Sequence, residues 1–152
     1  MFAFGPEDIE EFVPYLVIAF LFVFVVGWFF LLGLISTMSG WARLAGKFET
    51  KDKFGGQLHR FQSARMKKVG ISGVLNIGAS EKGLYLCHIL IFRPAHKPLL
   101  IPWGEITAEP CEVSLSKGYR LSFRSFPDIT LEVSGAVFDR MIEYLEDRAG
   151  SR

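Results

Sequence analysis

The hydrophobic pattern divides the chain into two unlike parts. From Phe12 to Ala42 there is no charged residue, and Val13 to Ile35 is almost wholly apolar. As a helix that stretch reaches about 35 Å, enough to cross a hydrocarbon core of about 30 Å with some tilt. A helix buried in a soluble domain carries a polar stripe, and this run has none. It is too long for the apolar region of a signal peptide, and acids rather than basic residues precede it. The pattern predicts a transmembrane anchor over residues 1–38. Pro6, Glu7 and Asp8 suit its start, since proline fits the first helical turn and carboxylates complement the positive end of the helix dipole. Pro14 lies within it, where the ring opposes the carbonyl of Glu10 and predicts a kink or a restart.

After the span, Trp41, Leu44, Ala45 and Phe48 recur at helical spacing, with Ser39 placed to cap a short helix. Residues 39–56 read as an amphipathic juxtamembrane linker. Trp41, Arg43 and Lys47 are its expected interfacial anchors, the indole at headgroup depth and the basic heads facing anionic lipid. Packing of this helix on the following domain is the alternative. Gly33 with Thr37, and Ser36 with Gly40, have the four-residue spacing that permits close helix contact, but lipid-facing filler is the simpler reading. Gly55-Gly56 reads as a flexible break.

From Gln57 the period shortens towards two. Leu58 to Ala64 is a first strand of poor alternation, and Ile71 to Ile77 a second of better alternation. Ser80 to Gly83 is turn chemistry. Leu84 to Phe92 reads as one continuous apolar strand, closed by Arg93-Pro94, and Leu99 to Trp103 as a short one. Ile106 to Leu115 follows, with Pro110 suggesting an edge or a bulge. Lys117-Gly118 reads as a hairpin turn, Tyr119 to Phe123 as a clean strand, Pro127-Asp128 as a further turn, and Ile129 to Val133 as the last strand. Ser134 then caps a helix whose stripe is Phe138, Met141, Ile142 and Leu145, ended by Gly150. The expected class is α+β: an N-terminal transmembrane helix, then a seven-stranded antiparallel, partly open barrel over residues 57–152 with a C-terminal amphipathic helix plugging it.

Charge adds an orientation. The net charge of +1 conceals that Glu7, Asp8, Glu10 and Glu11 precede the span while all 17 basic residues follow it. Basic flanks stay inside, so the expected placement is a single pass through an inner (plasma) membrane, N-terminus outside and domain cytoplasmic.

The order of seven strands and a helix resembles the pleckstrin-homology (PH) superfold. The run from Gly73 to Ile106 also resembles the GRAM and bacterial PH-like families, through Gly-Val-Leu-Asn-Ile, Gly-Leu-Tyr-Leu and an Ile-Pro-x-x-x-Ile segment at Ile101, Pro102 and Ile106. The resemblance implies a binding module for lipids, peptides or proteins. It also places Arg60, Arg65, Lys67 and Lys68 at a first hairpin, the position that holds anionic headgroups in lipid-binding members. The same charges serve as a solvated positive-inside flank.

Catalytic chemistry finds little support. Cys87 and His88 are neighbours in a strand and point to opposite faces. Two cysteines without a CxxC pair, and the dispersed His59, His88 and His96, have no metal-ligand spacing. Phosphate-binding glycine motifs and nucleophile elbows are missing, as is an aromatic-basic nucleic-acid motif. The expectation is no enzyme, no cofactor and no nucleic acid. A protein or peptide partner at the inner leaflet is expected instead, with Arg93, His96 and Lys97 in an exposed rigid loop as contact candidates. The alternatives are an accessory subunit of a larger membrane complex and a sensor of anionic phospholipid.

Overall fold

A computed structural model describes residues 5–150; within it the side chains of residues 6–8 and 144–150 are left undescribed. Helix α1 (Pro6–Ser39) is followed after one residue by α2 (Trp41–Phe48). The strands are β1 (Gln57–Met66), β2 (Val69–Ser80), β3 (Gly83–His88), β4 (Leu99–Ile101), β5 (Ile106–Val113), β6 (Ser116–Phe123) and β7 (Phe126–Ser134), and α3 (Gly135–Gly150) follows β7. Among the described residues, all seven strands form one antiparallel sheet in the order β4-β3-β2-β1-β7-β6-β5, curled into a half-barrel. The class is α+β.

α1 is unbroken through Pro14, so the missing proline N–H neither ends nor restarts it. The segment Ile9–Ser39 has a mean hydropathy of 2.8 and is long and apolar enough to cross a membrane. Its last three turns leave solvent on one side only: Trp28 is half-buried and Leu32, Ser36 and Ser39 are buried. That spacing is one helical stripe, laid against the domain. The Ser36 hydroxyl donates to the Ala95 carbonyl at 2.7 Å, and Trp28 meets the Phe92 ring at 5.9 Å. Ser36 and Gly40 are therefore packing residues rather than filler. Thr37 is exposed and returns its hydroxyl to Gly33 O at 2.8 Å.

Gly40 makes the corner between the helices with a φ of +82°, a conformation that suits glycine. A Cβ there would also come within 2.6 Å of Ile129 Cδ1. α2 consequently turns inward. Trp41 is 0% exposed, and it shares one core with Leu44, Phe48, Leu75, Ile77, Leu121, Phe123 and Val133. Trp41 is thus no interfacial anchor: its apolar stripe stops the end of the half-barrel. The segment after it is equally engaged. Thr50 N–H donates to Pro98 O at 2.9 Å, and Phe54 stacks on Tyr85 at 4.4 Å. At Gly56 a Cβ would meet Ala79 O and the Phe54 ring, so this glycine permits close packing rather than a flexible break. Residues 39–56 belong to the domain.

Strand irregularities follow local chemistry. The poor alternation of β1 reflects a bulge between His59 and Gln62, where Phe61 has a φ of +55° and its N–H donates to Asn76 Oδ1 at 3.1 Å. The β5–β6 turn is Ser114-Leu115, both at positive φ, and Lys117 and Gly118 lie within β6. Likewise Pro127 and Asp128 lie within β7, and the preceding turn is Arg124-Ser125. β3 stops at His88, after which Leu90–Phe92 form a 3₁₀ turn with no buried residue. On α3, Val137 and Met141 are buried and Phe138 stacks on Tyr119 at 4.0 Å; Ile142 is exposed, and the Leu145 side chain lies outside the described ones.

Removing the stopper should open the core. Trp41→Ala is expected to cost about 3–5 kcal/mol, read as a large drop in the thermal midpoint of the full-length protein in detergent. Leu115→Ala, at the exposed turn, should leave that midpoint nearly unchanged.

Candidate membrane-facing site

One end of the half-barrel gathers the α1–α2 corner, the β1–β2 turn, the β6–β7 turn and the β3–β4 loop. Ion pairs hold these parts together. Arg43 forks onto both carboxylate oxygens of Asp128, and Lys67 approaches the same carboxylate at 3.9 Å. The Arg43 guanidinium keeps the Asp128 carboxyl below its ordinary range. Lys47 donates to the Ser125 hydroxyl and lies 3.8 Å from Glu105, whose pKa is lowered chiefly by the hydrogen bond from Ser125. Arg43 and Lys47 thus tie α2 to the β6–β7 turn while remaining about half exposed.

The four headgroup candidates do not converge. Arg65 is 3.7 Å from Glu132, and Lys67 faces Asp128, so both already have acidic partners. Lys68, in the turn itself, takes part in no ion pair among the described residues. Arg60 lies on the far stretch of β1, about 20 Å from that turn at strand rise. It instead lines a groove of about 530 Å³ with Asn76, Tyr85, Leu90 and Arg93. None of the described residues lining that groove is acidic. Burial, helped by the Cys87 thiol, pushes the Tyr85 phenol up to about 12, leaving the two guanidinium groups to set the sign of the groove. The sequence separates Arg60 from Arg93 by the whole β2–β3 hairpin, and only the sheet brings them to one face.

The β3–β4 loop also differs from expectation. Arg93 and Lys97 are exposed, with Arg93 Nε donating to His88 O at 3.3 Å and Lys97 pairing with Glu49 at 3.1 Å. His96 is only 3% exposed, so it is a core residue rather than a contact in an exposed loop. Its Nδ1 lies 3.2 Å from Phe92 O, and its ring meets His88 at 4.4 Å. Trp41 completes the cluster, 4.4 Å edge-on from His88 and donating from Nε1 to Lys97 O at 2.9 Å. Beside this cluster a cavity of about 230 Å³ opens between Leu32 and Ile35 of α1 and Val69, Ile71 and Val74 of β2. Among the described residues His88 Nδ1, which is buried, has no hydrogen-bond partner. Among the described residues no three His, Cys, Asp or Glu side chains converge as a metal site.

Comparison with family models, with curated proteins and with solved structures finds no match.

Burial pushes the His88 pKa down to about 3 from an ordinary 6.5, with His96 adding a second push in the same direction. The unfolded chain therefore takes up a proton that the folded one refuses as the pH falls through 6.5. The His88 contribution to stability is full above that pH and is lost progressively down to about 3, at about 1 kcal/mol per unit. The thermal midpoint should fall between pH 7 and pH 4 in detergent, and His88→Phe should flatten the slope. An unchanged slope in the variant would remove His88 as its source.

Proposed function

We propose that this chain is a single-pass inner-membrane protein, N-terminus outside, that holds a PH-like recognition module on the cytoplasmic face to dock a protein or peptide partner. The observation that carries the proposal is the packing of the end of α1 on the domain. Because Leu32, Ser36 and Ser39 are buried, Ser36 bonds to Ala95 O, Trp28 meets Phe92, and Trp41 one residue past the Gly40 corner belongs to the domain's core, the domain is held to its anchor and does not swing on a linker. A fixed posture suits a docking platform, since a partner meets one surface at one height. The exposed apolar surface of α1 and the charge asymmetry about it support the membrane reading and its direction. The PH-like reading rests on the seven-stranded antiparallel order with β1 beside β7 and on the helix that follows β7.

The seat for a peptide is the β5 edge. The other edge strand, β4, has three residues and is flanked by a bridge from Glu49 to Leu99. β5 has eight residues, mostly exposed, pairs only with β6 in the sheet, and begins at the end that carries the anchor. An extended segment can add to such an edge by main-chain hydrogen bonds on either side of Pro110, which has no N–H to give, with Glu109 and Glu112 favouring a basic segment. A second reading, recognition of anionic lipid, is favoured by the acid-free groove between Arg60 and Arg93.

Two measurements test this. A green fluorescent reporter fused to the C-terminus should fluoresce, and alkaline phosphatase at the same place should be inactive; the opposite pair of results reverses the orientation. A partner co-purified in mild detergent should survive replacement of residues 16–26 by an unrelated apolar sequence and be lost on Glu109→Lys with Glu112→Lys. Loss on helix replacement alone would make the chain an accessory subunit held through its span.

A further inference from the structure

We infer that the β3–β4 loop is a second membrane contact, with Leu90 and Ile91 entering the acyl-chain layer of the leaflet on the domain side. The inference rests on the proposed reading of α1 as a membrane span. Leu90 is 77% exposed and Ile91 57% exposed, at the tip of a loop where a soluble protein would place polar residues. Their position along α1 supplies the reason.

Glu11 is the last acidic residue before the apolar run. A hydrocarbon core of about 30 Å beginning at Phe12 takes about 20 residues and ends near Leu31. Trp28 then lies about 5 Å inside the inner boundary. Phe92 packs against Trp28, whereas Ala95, three residues later, receives the hydrogen bond of Ser36. Between Ser36 and Trp28 the helix rises about 12 Å. The loop therefore climbs along the helix from the aqueous side, and its 3₁₀ tip reaches the depth of Trp28. Placing the span nearer the domain, over Val13 to Ile35, sets the tip deeper still.

Backbone chemistry agrees with this depth. In hydrocarbon each peptide group needs an internal partner. The loop supplies several: Phe92 N–H bonds to Ile89 O at 3.0 Å, Arg93 N–H to Leu90 O at 3.3 Å, and His96 N–H to Phe92 O at 3.1 Å. Arg93 follows the tip with its side chain exposed, at the height where a guanidinium meets phosphate. The outward side of α1 at this level, Leu31 and Leu34, is also apolar and exposed, so the helix offers lipid the same kind of surface as the loop. Lipid covers it on this proposal; a second protein is the competing occupant.

The test is site-directed spin labelling of the full-length protein in liposomes, in a Cys111→Ser background, with Cys87 buried and an unlabelled-site blank to check it. Nitroxides are placed at Leu90→Cys and, separately, Ile91→Cys, with Val23→Cys on α1 and Leu115→Cys at the opposite end of the half-barrel as references. The expected result is that labels at 90 and 91 collide with oxygen far more than with a water-soluble nickel chelate, as at 23 and unlike 115. Nickel accessibility at 90 and 91 equal to that at 115 overturns the inference, as does shielding from both reagents, which would indicate a protein cover. If Val23 itself is accessible to nickel, the membrane reading fails, and the loop inference fails with it for that separate reason.

Discussion

The structure depends on closing one end of a half-barrel. A curled sheet of seven strands buries its concave face only where something apolar fills the opening, and neither edge strand reaches the other to complete the wall. α3 covers part of it with Val137 and Met141. The remainder is filled from the N-terminal side by Trp41, Leu44 and Phe48. The indole serves twice, as bulk against the strands and as a donor to Lys97 O, which ties the loop below it. The Gly40 corner, the Arg43–Asp128 pair and the burial of His88 and His96 all follow from α2 being driven inward at that point.

The general layout was legible because each element obeys its own period. An uninterrupted apolar run, alternation in β6 and β7, and a helical stripe that begins at Phe138 and Met141 are local signals, and the structure has a helix, two strands and a helix there. The Trp41 stripe was ambiguous for a physical reason: a membrane surface and a protein core ask for the same amphipathic pattern. Which one claims it depends on Ile129, Leu121 and other residues far along the chain. Apolarity misled at Leu84 to Phe92 in the same way, since a buried strand and an exposed apolar loop are written in the same residues. The Ser114-Leu115 turn carries neither glycine nor asparagine, so no turn signal was present to read.

For the site, sequence identified the basic residues but not their grouping. Arg65 and Lys67 are spent on Glu132 and Asp128, acids that come more than sixty residues later. Arg60 and Arg93 share a groove only because β1, β2 and β3 lie side by side. His96 looked like a loop residue by its neighbours, Pro94 and Pro98, and is a core residue by its contacts with Trp41 and His88. Such groupings are properties of the sheet, and adjacency in sequence does not encode them.

The contact between Gly40 and Ile129 also has a consequence in time. Synthesis runs from the N-terminus, so the helix and its stopper are made well before Asp128 and Ile129. At ordinary elongation rates that interval is on the order of ten seconds. Throughout it Trp41, Leu44 and Phe48 have no finished barrel to enter, and their amphipathic stripe lacks its protein cover. The same eight residues reach their final cover only when β7 arrives, so that the making of β7, rather than the formation of α1, fixes how the domain sits against its helix.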